Sequence, residues 1–572
     1  MDMMTRIAGL IAETMTALWP DAEGLPSAEE LRGLLAVPPD PALGDYAFPC
    51  FRLAKPLRSA PPKIAEALCA AWKNEETASA RPVNGYMNFF LNRANFAAQL
   101  MAELEEKKDR FGASEEGSGK TVCLDYSSIN IAKRFHIGHL STTMIGHSLK
   151  RIFDFLGYTT VGINHLGDWG TQFGKMVCAY TKWGKKEDVE KRGIDAMTEL
   201  YVRFHKEAEA DPSLEDEGRA WFKKIEDNDP EAMEIFRWFK EVTLKDAAKV
   251  YDQLGVAFDS YAGESFYNDK MEPVVQELRD KGLLVESQGA QVVDLSEDNM
   301  PPCLILKSDG ATIYATRDLA AAIYRQNTYH FDKCLYVVAY QQDLHFRQVF
   351  RVLEKMGYPW AKDCVHVSFG MVSFEGEALS TRKGNMILLE DLLDQAVAKA
   401  REIIEEKSPN LENKDEVARQ VGIGAVIYTD LSNHRIKDID FRWENALNFD
   451  GESGPYVQYT HARCCSVLRK APDFTGVDPD WSALTDDEAQ ALLRLISRFP
   501  DVIREAAAKY EPSMITRAVT DIAQAYNKYY YEHRILDGEP APAAARVALT
   551  RAAQTVIRTG LFLIGIESPE RM

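Results

Sequence analysis

Apolar and polar positions alternate through TVCLDY (Thr121–Tyr126), the period of two that sends a strand's side chains to opposite faces. The apolar run from Ile137 through Leu156 then reads as a helix, and Thr159–Ile163 reads as a second strand. Strand, helix and strand in this order predict a parallel sheet whose ligand sits at the carboxyl ends of the strands. Later strands fit at Leu335–Ala339 and Val365–Phe369. Between the early and late strands a charged, helix-rich stretch runs from about Lys182 to Lys249, the pattern of a solvated insertion.

The flanks differ from this centre. Residues 1–112 mix helical patterns with an extended run at Gly85–Asn92 and a Pro-rich turn at Pro38–Phe48, which predicts an α+β unit. The polar hinge GASEEGSG (Gly112–Gly119) separates it from the first strand. The last part reads as all-helical. Thr485 and Glu488 form a capping-box signature ahead of Leu492, Leu495, Ile496 and Phe499. Ile515, Val519, Ile522 and Tyr526 repeat the helical spacing, and a further helix covers Ala543–Leu563. The expected organisation is therefore an α+β domain at 1–112, an α/β domain at 113–445 with an insertion at about 182–260, and a helical bundle at 446–572.

Composition changes this picture little. Hydrophobic residues at 46% and charged residues at 27% supply enough material for several cores in 572 residues. The amino terminus reads as an amphipathic helix, and no run approaches the roughly 18 apolar residues of a membrane span. The nine scattered cysteines lack the two-residue spacing of a zinc knuckle. Reduced thiols, no metal site and a cytoplasmic location are the expectation. A net charge of −20 argues against a generic polyanion-binding surface. Its distribution softens that objection: Tyr456–Met572 carries 14 Lys and Arg against 15 Asp and Glu, whereas residues 1–455 carry 53 against 72.

Two stretches near the first strand look like phosphate sites. GSGKT (Gly117–Thr121) imitates a phosphate loop, but Ser114 stands where the loop's first glycine belongs, and the run precedes a strand instead of opening a helix. A hinge is the simpler reading. HIGH (His136–His139) follows a strand and opens a helix, where unpaired N–H groups and the positive end of the helix dipole face a phosphate. Its histidines lie three apart on one helical face, and Gly138 permits close approach of an adenine ring. Two histidines at this spacing alone would equally suit a metal or a bare surface.

Further motifs decide between these readings. DYSSINIAK (Asp125–Lys133), GDWGTQ (Gly167–Gln172), YATRDLAAA from Tyr314, YQQDLHF from Tyr340, LSTRKGN from Leu379 and GESGPYVQYTHAR from Gly451 stand in order along the chain. With GDYAF at Gly44, GYMNFFLN at Gly85 and the terminal GIESPERM, they resemble the class I aminoacyl-tRNA synthetases, specifically the arginyl-tRNA synthetase family.

That resemblance implies a Rossmann-like catalytic domain and an enzyme that joins arginine to AMP from ATP, then transfers it to tRNA(Arg). It assigns phosphate stabilisation to His136 and His139, with Ile137 and Gly138 beside the nucleotide. Ser380, Arg382 and Lys383 belong to the second cationic loop, which here lacks the family's first lysine; Lys133 is the candidate helper. Asp125, Asn130, Tyr314, Asp318 and Gln342 match the arginine-binding positions. Read without the family, Asp318 would pair with Arg317 or Arg325 along its helix. Tyr456, Tyr459, Arg463, Tyr530 and Met572 match anticodon-loop contacts, and the region around Asp45 and Tyr46 matches a module touching the tRNA corner. Without the family, such an aromatic stripe reads as bundle core. Ile129 replaces the family's usual proline, which questions the rigidity of that loop. ATP with Mg²⁺, L-arginine and tRNA(Arg) are the implied ligands, a monomer the implied state, and tRNA is expected to be needed for arginine activation. A catalytically silent tRNA-binding relative and a phosphate-loop ATPase are the rival readings.

Overall fold

The structure is a computed structural model that describes residues 3–74, 76–131, 133–378, 387–472, 474 and 476–572. Ser380, Arg382 and Lys383 lie outside the described residues.

Near the amino terminus, strands β1 (Tyr46–Pro49), β2 (Ala78–Val83) and β3 (Tyr86–Leu91) form an antiparallel sheet in the order β1-β3-β2. The amphipathic helix Met3–Leu18 packs against the helices Ala28–Leu34 and Pro61–Ala71, with Ile7, Ala8 and Ile11 fully buried. This is the α+β pattern read from the sequence.

The central sheet holds β4 (Thr121–Asp125) and β5 (Thr159–Ile163), the antiparallel meander β6 (Leu284–Ser287), β7 (Ala290–Val293) and β8 (Cys303–Leu306) lying apart from it, and then β9 (Lys333–Tyr336) and β10 (Cys364–His366). The four sheet members run parallel in the order β10-β9-β4-β5. Val122, Cys123 and Leu124 are buried on both faces, as a parallel sheet covered by helices requires. The chain leaves β4 for β5 on one side and returns to β9 on the other. That reversal opens a crevice at the carboxyl ends of β4 and β9, the place where such folds bind ligands.

The two late strands begin one or two residues earlier than expected and are shorter, because beyond Tyr336 and His366 pairing is reduced to an isolated parallel bridge between Ala339 and Phe369. The meander β6–β8 was not legible as strands: each has only four residues, and β6 keeps its side chains half or fully exposed. Neither was the small sheet β11 (Val372–Phe374), β12 (Glu377–Ala378) and β13 (Ile439–Phe441). The charged stretch is helical as expected, in Lys186–Arg192, Ile194–Ala210, Ser213–Glu226 and Pro230–Leu254.

The carboxyl-terminal part is built from helices Gly454–Lys470, Asp487–Lys509, Ser513–Glu532 and Pro540–Leu563. Leu492, Ile496, Phe499, Ile515, Val519, Ile522 and Tyr526 are all fully buried, so the stripes read from the sequence are the bundle's core. One detail is corrected. The cap of the helix at Asp487 is Asp486, whose carboxylate accepts the Ala489 N–H at 2.8 Å, while the Thr485 hydroxyl donates backwards to the Ser482 carbonyl.

GSGKT forms a turn packed on Tyr158, at the amino end of β4 and so on the edge of the sheet opposite the crevice. No described helix is long and apolar enough to cross a membrane.

Candidate active site

The crevice floor is the end of β4. Asp125 is buried, and its two oxygens are engaged within the protein: Oδ2 accepts from the fully buried Arg325 at 2.7 Å and Oδ1 from the Ser128 hydroxyl at 2.8 Å. Each oxygen keeps a further acceptor lone pair beyond these bonds. Ser127 and Ser128 both take positive φ, 70° and 46°, an unfavourable conformation for non-glycine residues. They are held there by hydrogen bonds from elsewhere: the Ser127 N–H donates to Thr142 Oγ1 at 3.0 Å, and Ser127 Oγ shares a 2.7 Å bond with the Tyr251 hydroxyl.

The loop next runs beside Gly167. The Gly167 N–H donates to the Ile129 carbonyl at 2.9 Å and the Ile131 N–H to the Gly167 carbonyl at 3.1 Å. This pairing and the burial of Ile129 hold the loop without a proline ring. Asn130 is exposed on it, and its amide oxygen lies where a Cβ on residue 167 would be, at 2.2 Å, so glycine is required there.

His136 and His139 bracket a single turn, Ile137–His139, that opens the helix Leu140–Phe155. The Gly138 N–H donates to His136 Nδ1 at 3.1 Å, and the His136 N–H reaches His139 Nδ1 at 3.2 Å. With His136 Nδ1 accepting from Gly138, the proton of that ring sits on Nε2. His139 Nδ1 lies between the His136 N–H at 3.2 Å and the His136 carbonyl at 3.3 Å, and its tautomer follows whichever of the two it pairs with. A Cβ at Gly138 would lie 2.9 Å from the His136 ring and displace it. Burial, reinforced by the charge of Lys133, lowers the His136 pKa to about 4; burial, followed by the charge of His136, lowers that of His139 to about 3. Both rings are neutral donors at pH 7. Lys133 itself is exposed beside them.

The segment that follows the LSTRKGN loop is anchored on this turn. The Ile137 N–H donates to the Ile387 carbonyl and the Leu389 N–H to the Phe135 carbonyl, each at 3.0 Å. The base of the cationic loop is thus fixed beside the histidines.

Across the crevice, Tyr314 and Asp318 stand one turn apart on the helix Tyr314–Tyr329, and Gln342 is exposed ahead of the helix Asp343–Lys355. Asp318 pairs with neither Arg317 nor Arg325. Its Oδ2 lies 2.6 Å from His345 Nε2, and the His345 ring meets the Tyr314 ring edge-on at 4.9 Å. Nearby, Glu264 has its pKa raised to about 7, by burial first and then by the charges of Asp168 and Asp318, against the opposing influence of Arg317. Asp168 is fully buried and accepts from Lys240 Nζ at 2.7 Å and the Ser265 N–H at 2.8 Å. Glu264 and His345 were missed from the sequence. His345 lies inside the YQQDLHF motif, but nothing in its spacing ties it to a residue 27 positions earlier.

Family models match nearly all of this architecture: "Arginyl tRNA synthetase N terminal domain" over residues 5–91, "tRNA synthetases class I (R), catalytic domain" over 100–443 and "DALR anticodon binding domain" over 457–572. The chain is 53% identical over 544 residues to the arginine–tRNA ligase of Alkaliphilus metalliredigens, covering 95% of this chain and 96% of that one. It is 49% identical to that of Halothermothrix orenii over the full length of both. The chain belongs to the arginyl-tRNA synthetase family. Among solved structures, the arginyl-tRNA synthetase of Thermus thermophilus superimposes with a TM-score of 0.81 at 26% identity over 99% of each chain. The Plasmodium falciparum arginyl-tRNA synthetase shares the fold, with a TM-score of 0.78 at 23% identity over 99% of this chain and 98% of that one.

Within this family's anticodon-binding part, the Arg463 guanidinium lies between the Tyr459 ring at 4.9 Å and the Tyr530 ring at 5.3 Å, and donates to Asn527 Oδ1 at 2.5 Å. Asn527 in turn donates to the Tyr456 hydroxyl at 2.9 Å, so Tyr456 is half-buried as part of the support. Tyr459 and Tyr530 are each 40% exposed and line a cleft of about 1050 Å³ with Arg534 and Met572. The unaided reading of this stripe as core does not hold for these two.

In the amino-terminal part Asp45 and Tyr46 make contacts within the protein. Tyr46 is buried at the start of β1 opposite Phe89, and Asp45 accepts from Arg494 of the carboxyl-terminal bundle and, at 2.8 Å, from the Leu91 N–H. Asp45 thus ties this part to the carboxyl-terminal bundle, while Tyr46 belongs to the core of its own sheet. The exposed aromatic pair is Phe51 and Tyr86, edge to face at 5.3 Å.

Proposed function

We propose that this chain is an arginine–tRNA ligase that works at the crevice between β4 and β9. The carboxylate of L-arginine attacks the α-phosphorus of ATP, the bond to the bridging oxygen breaks, and pyrophosphate leaves with the electron pair. Arginyl-adenylate then passes its acyl group to a ribose hydroxyl of the terminal adenosine of tRNA(Arg), releasing AMP. Neither step needs a covalent enzyme nucleophile; both need alignment and stabilisation of charge on phosphate.

The observation that carries this reading is the convergence of two unlike sites on one switch point. On one wall, two neutral imidazoles stand at the amino end of the helix Leu140–Phe155, where charge on a triphosphate is best met. Lys133 stands beside them, and Ser380, Arg382 and Lys383 are assigned to the same phosphates by their place in the LSTRKGN motif. On the other wall, Asp318, Tyr314, Gln342 and Asn130 surround the guanidinium and the main-chain groups of arginine, with Asp125 holding the floor through Arg325. Ile137 and Gly138 take the adenine side. Mg²⁺ enters as the ATP complex, coordinated by phosphate oxygens and water.

Tyr459, Tyr530, Arg463 and Met572 take splayed anticodon bases, by stacking and by the cation between the rings. Phe51 and Tyr86, in place of Tyr46 and Asp45, face the tRNA corner. The functional division follows the sequence boundaries near residues 112 and 445, and the enzyme acts as a cytoplasmic monomer that activates arginine only with tRNA bound.

Arginine-dependent exchange of pyrophosphate into ATP, with and without tRNA(Arg), tests this. Exchange that requires arginine and rises with tRNA is expected. No exchange with tRNA present would leave a silent tRNA-binding relative, and arginine-independent ATP hydrolysis lost in Lys120→Ala but not in His136→Asn would favour the phosphate-loop ATPase.

A further inference from the structure

Asp318 is the carboxylate best placed to meet a guanidinium, yet an aspartate in isolation is a poor bidentate acceptor. Rotation about its terminal bond is broad, whereas a guanidinium presents its N–H donors in one fixed plane. Something must hold the carboxylate's plane. In this structure one group touches both side chains of the wall: His345, 27 residues later and on a different helix, lies 2.6 Å from Asp318 Oδ2 through Nε2 and meets the Tyr314 ring edge-on at 4.9 Å. His345 is itself well buried, with its side chain 11% exposed, and its ring is braced by Phe346 at 5.1 Å. Asp318 Oδ1 makes no hydrogen bond among the described residues and is left for a ligand.

We propose that His345 is a positioning residue for amino-acid recognition: it fixes one oxygen of Asp318 and backs Tyr314, so that the second oxygen and the phenol meet the substrate guanidinium together. This rests on the reading of Asp318 as the guanidinium acceptor. The choice of side chain has a physical reason. A lysine or arginine here would be a permanent cation 2.6 Å from the carboxylate, neutralising it and competing with the substrate. An imidazole can donate one N–H without a permanent charge, so the carboxylate keeps its charge for the ligand.

Four variants of the full-length enzyme test this in arginine-dependent pyrophosphate exchange at saturating tRNA(Arg), with KM for arginine, KM for ATP and kcat measured separately. His345→Ala, which removes a hydrogen bond to a charged group, is expected to raise KM for arginine by about 10- to 100-fold. In the same variant kcat at saturating arginine should fall by less than about threefold, and KM for ATP should move little. His345→Gln places an amide N–H near the position of Nε2 and should recover most of the loss. His345→Lys should raise KM for arginine further than His345→Ala. Asp318→Asn separates the two levels of the argument: an unchanged KM for arginine in that variant overturns the pocket reading. If Asp318→Asn raises KM and His345→Ala does not, the positioning role alone is overturned. Equal impairment in His345→Gln and His345→Ala would mark the histidine as packing only. Should His345→Ala fail to fold, the comparison of His345→Gln with His345→Lys decides, with a larger KM in the lysine variant expected and equal values overturning the proposal.

Discussion

In the proposed function His136 and His139 act as neutral donors, and burial is the first cause of that state, ahead of the neighbouring charges. An imidazolium at this turn would bind triphosphate strongly before the reaction; a neutral N–H tightens as charge develops on the phosphate oxygens. His136→Asn and His139→Asn should each lower kcat for pyrophosphate exchange by about 10²- to 10³-fold, the usual effect of losing one such donor. A loss confined to KM for ATP would show that they serve ground-state binding. A second buried group has a different consequence. Asp430, at the end of the helix Lys414–Leu431, accepts from the Ser141 hydroxyl at 2.5 Å, while its Oδ2 is buried with no partner among the described residues. Burial raises its pKa from 3.8 to about 7, partly opposed by the Ser141 hydrogen bond. Between these values the native chain keeps a proton that the unfolded chain has released, so stability falls as pH rises through the window. Asp430→Asn removes that dependence. Thermal unfolding should show the variant gaining on the natural chain between pH 5 and pH 8, and a constant difference would contradict the assignment.

At the scale of elements, the helix Asp487–Lys509 links the amino-terminal domain to the rest. Its Arg494 pairs with Asp45, its Asp501 with Arg32 at 3.0 Å, and the Thr485 carbonyl just before it accepts from Arg93 at 2.6 Å. Its amino end is held by Asp486, so Asp486→Ala should cost about 1 kcal/mol of stability in urea unfolding. Thr485→Ala should cost clearly less, and the reverse order would restore the capping box read from the sequence. That box was misplaced by one position because Thr, Asp and Asp stand together at 485–487, each a competent cap. The βαβ unit was legible because its strands carry short apolar runs and its helix repeats Leu140, Met144, Leu149, Ile152 and Phe153 at helical spacing. The strands of the meander and of the small sheet β11–β13 were not, since two to four residues show too little alternation to separate a strand from a loop.

At the scale of the molecule, a chain of net charge −20 must still bind a polyanion. In the proposed function it does so by concentrating cations: Arg463, Arg469, Lys470, Arg534 and Arg571 line one cleft with Tyr459 and Tyr530. Arg463→Ala should weaken tRNA(Arg) binding by about 1–3 kcal/mol, since it removes the cation and loosens both rings. Aminoacylation should then recover at saturating tRNA, and binding across a salt series should show a shallower slope than the natural chain. An unchanged KM for tRNA would place the anticodon elsewhere.

Periodicity and ordered motifs in the sequence alone determined the helical faces, the parallel start of the sheet, the family and the location of the histidine turn. These are local properties, written in spacings of two to four residues and in short runs. Only the tertiary structure decided which groups remain available to a ligand. Asp125 is taken by Arg325, 200 residues later; Asp45 by Arg494, 449 residues later; Asp318 is shared with His345. A hydrophobic pattern states that a side chain faces inward but not which distant element it meets, and that meeting sets the partner and orientation of each carboxylate.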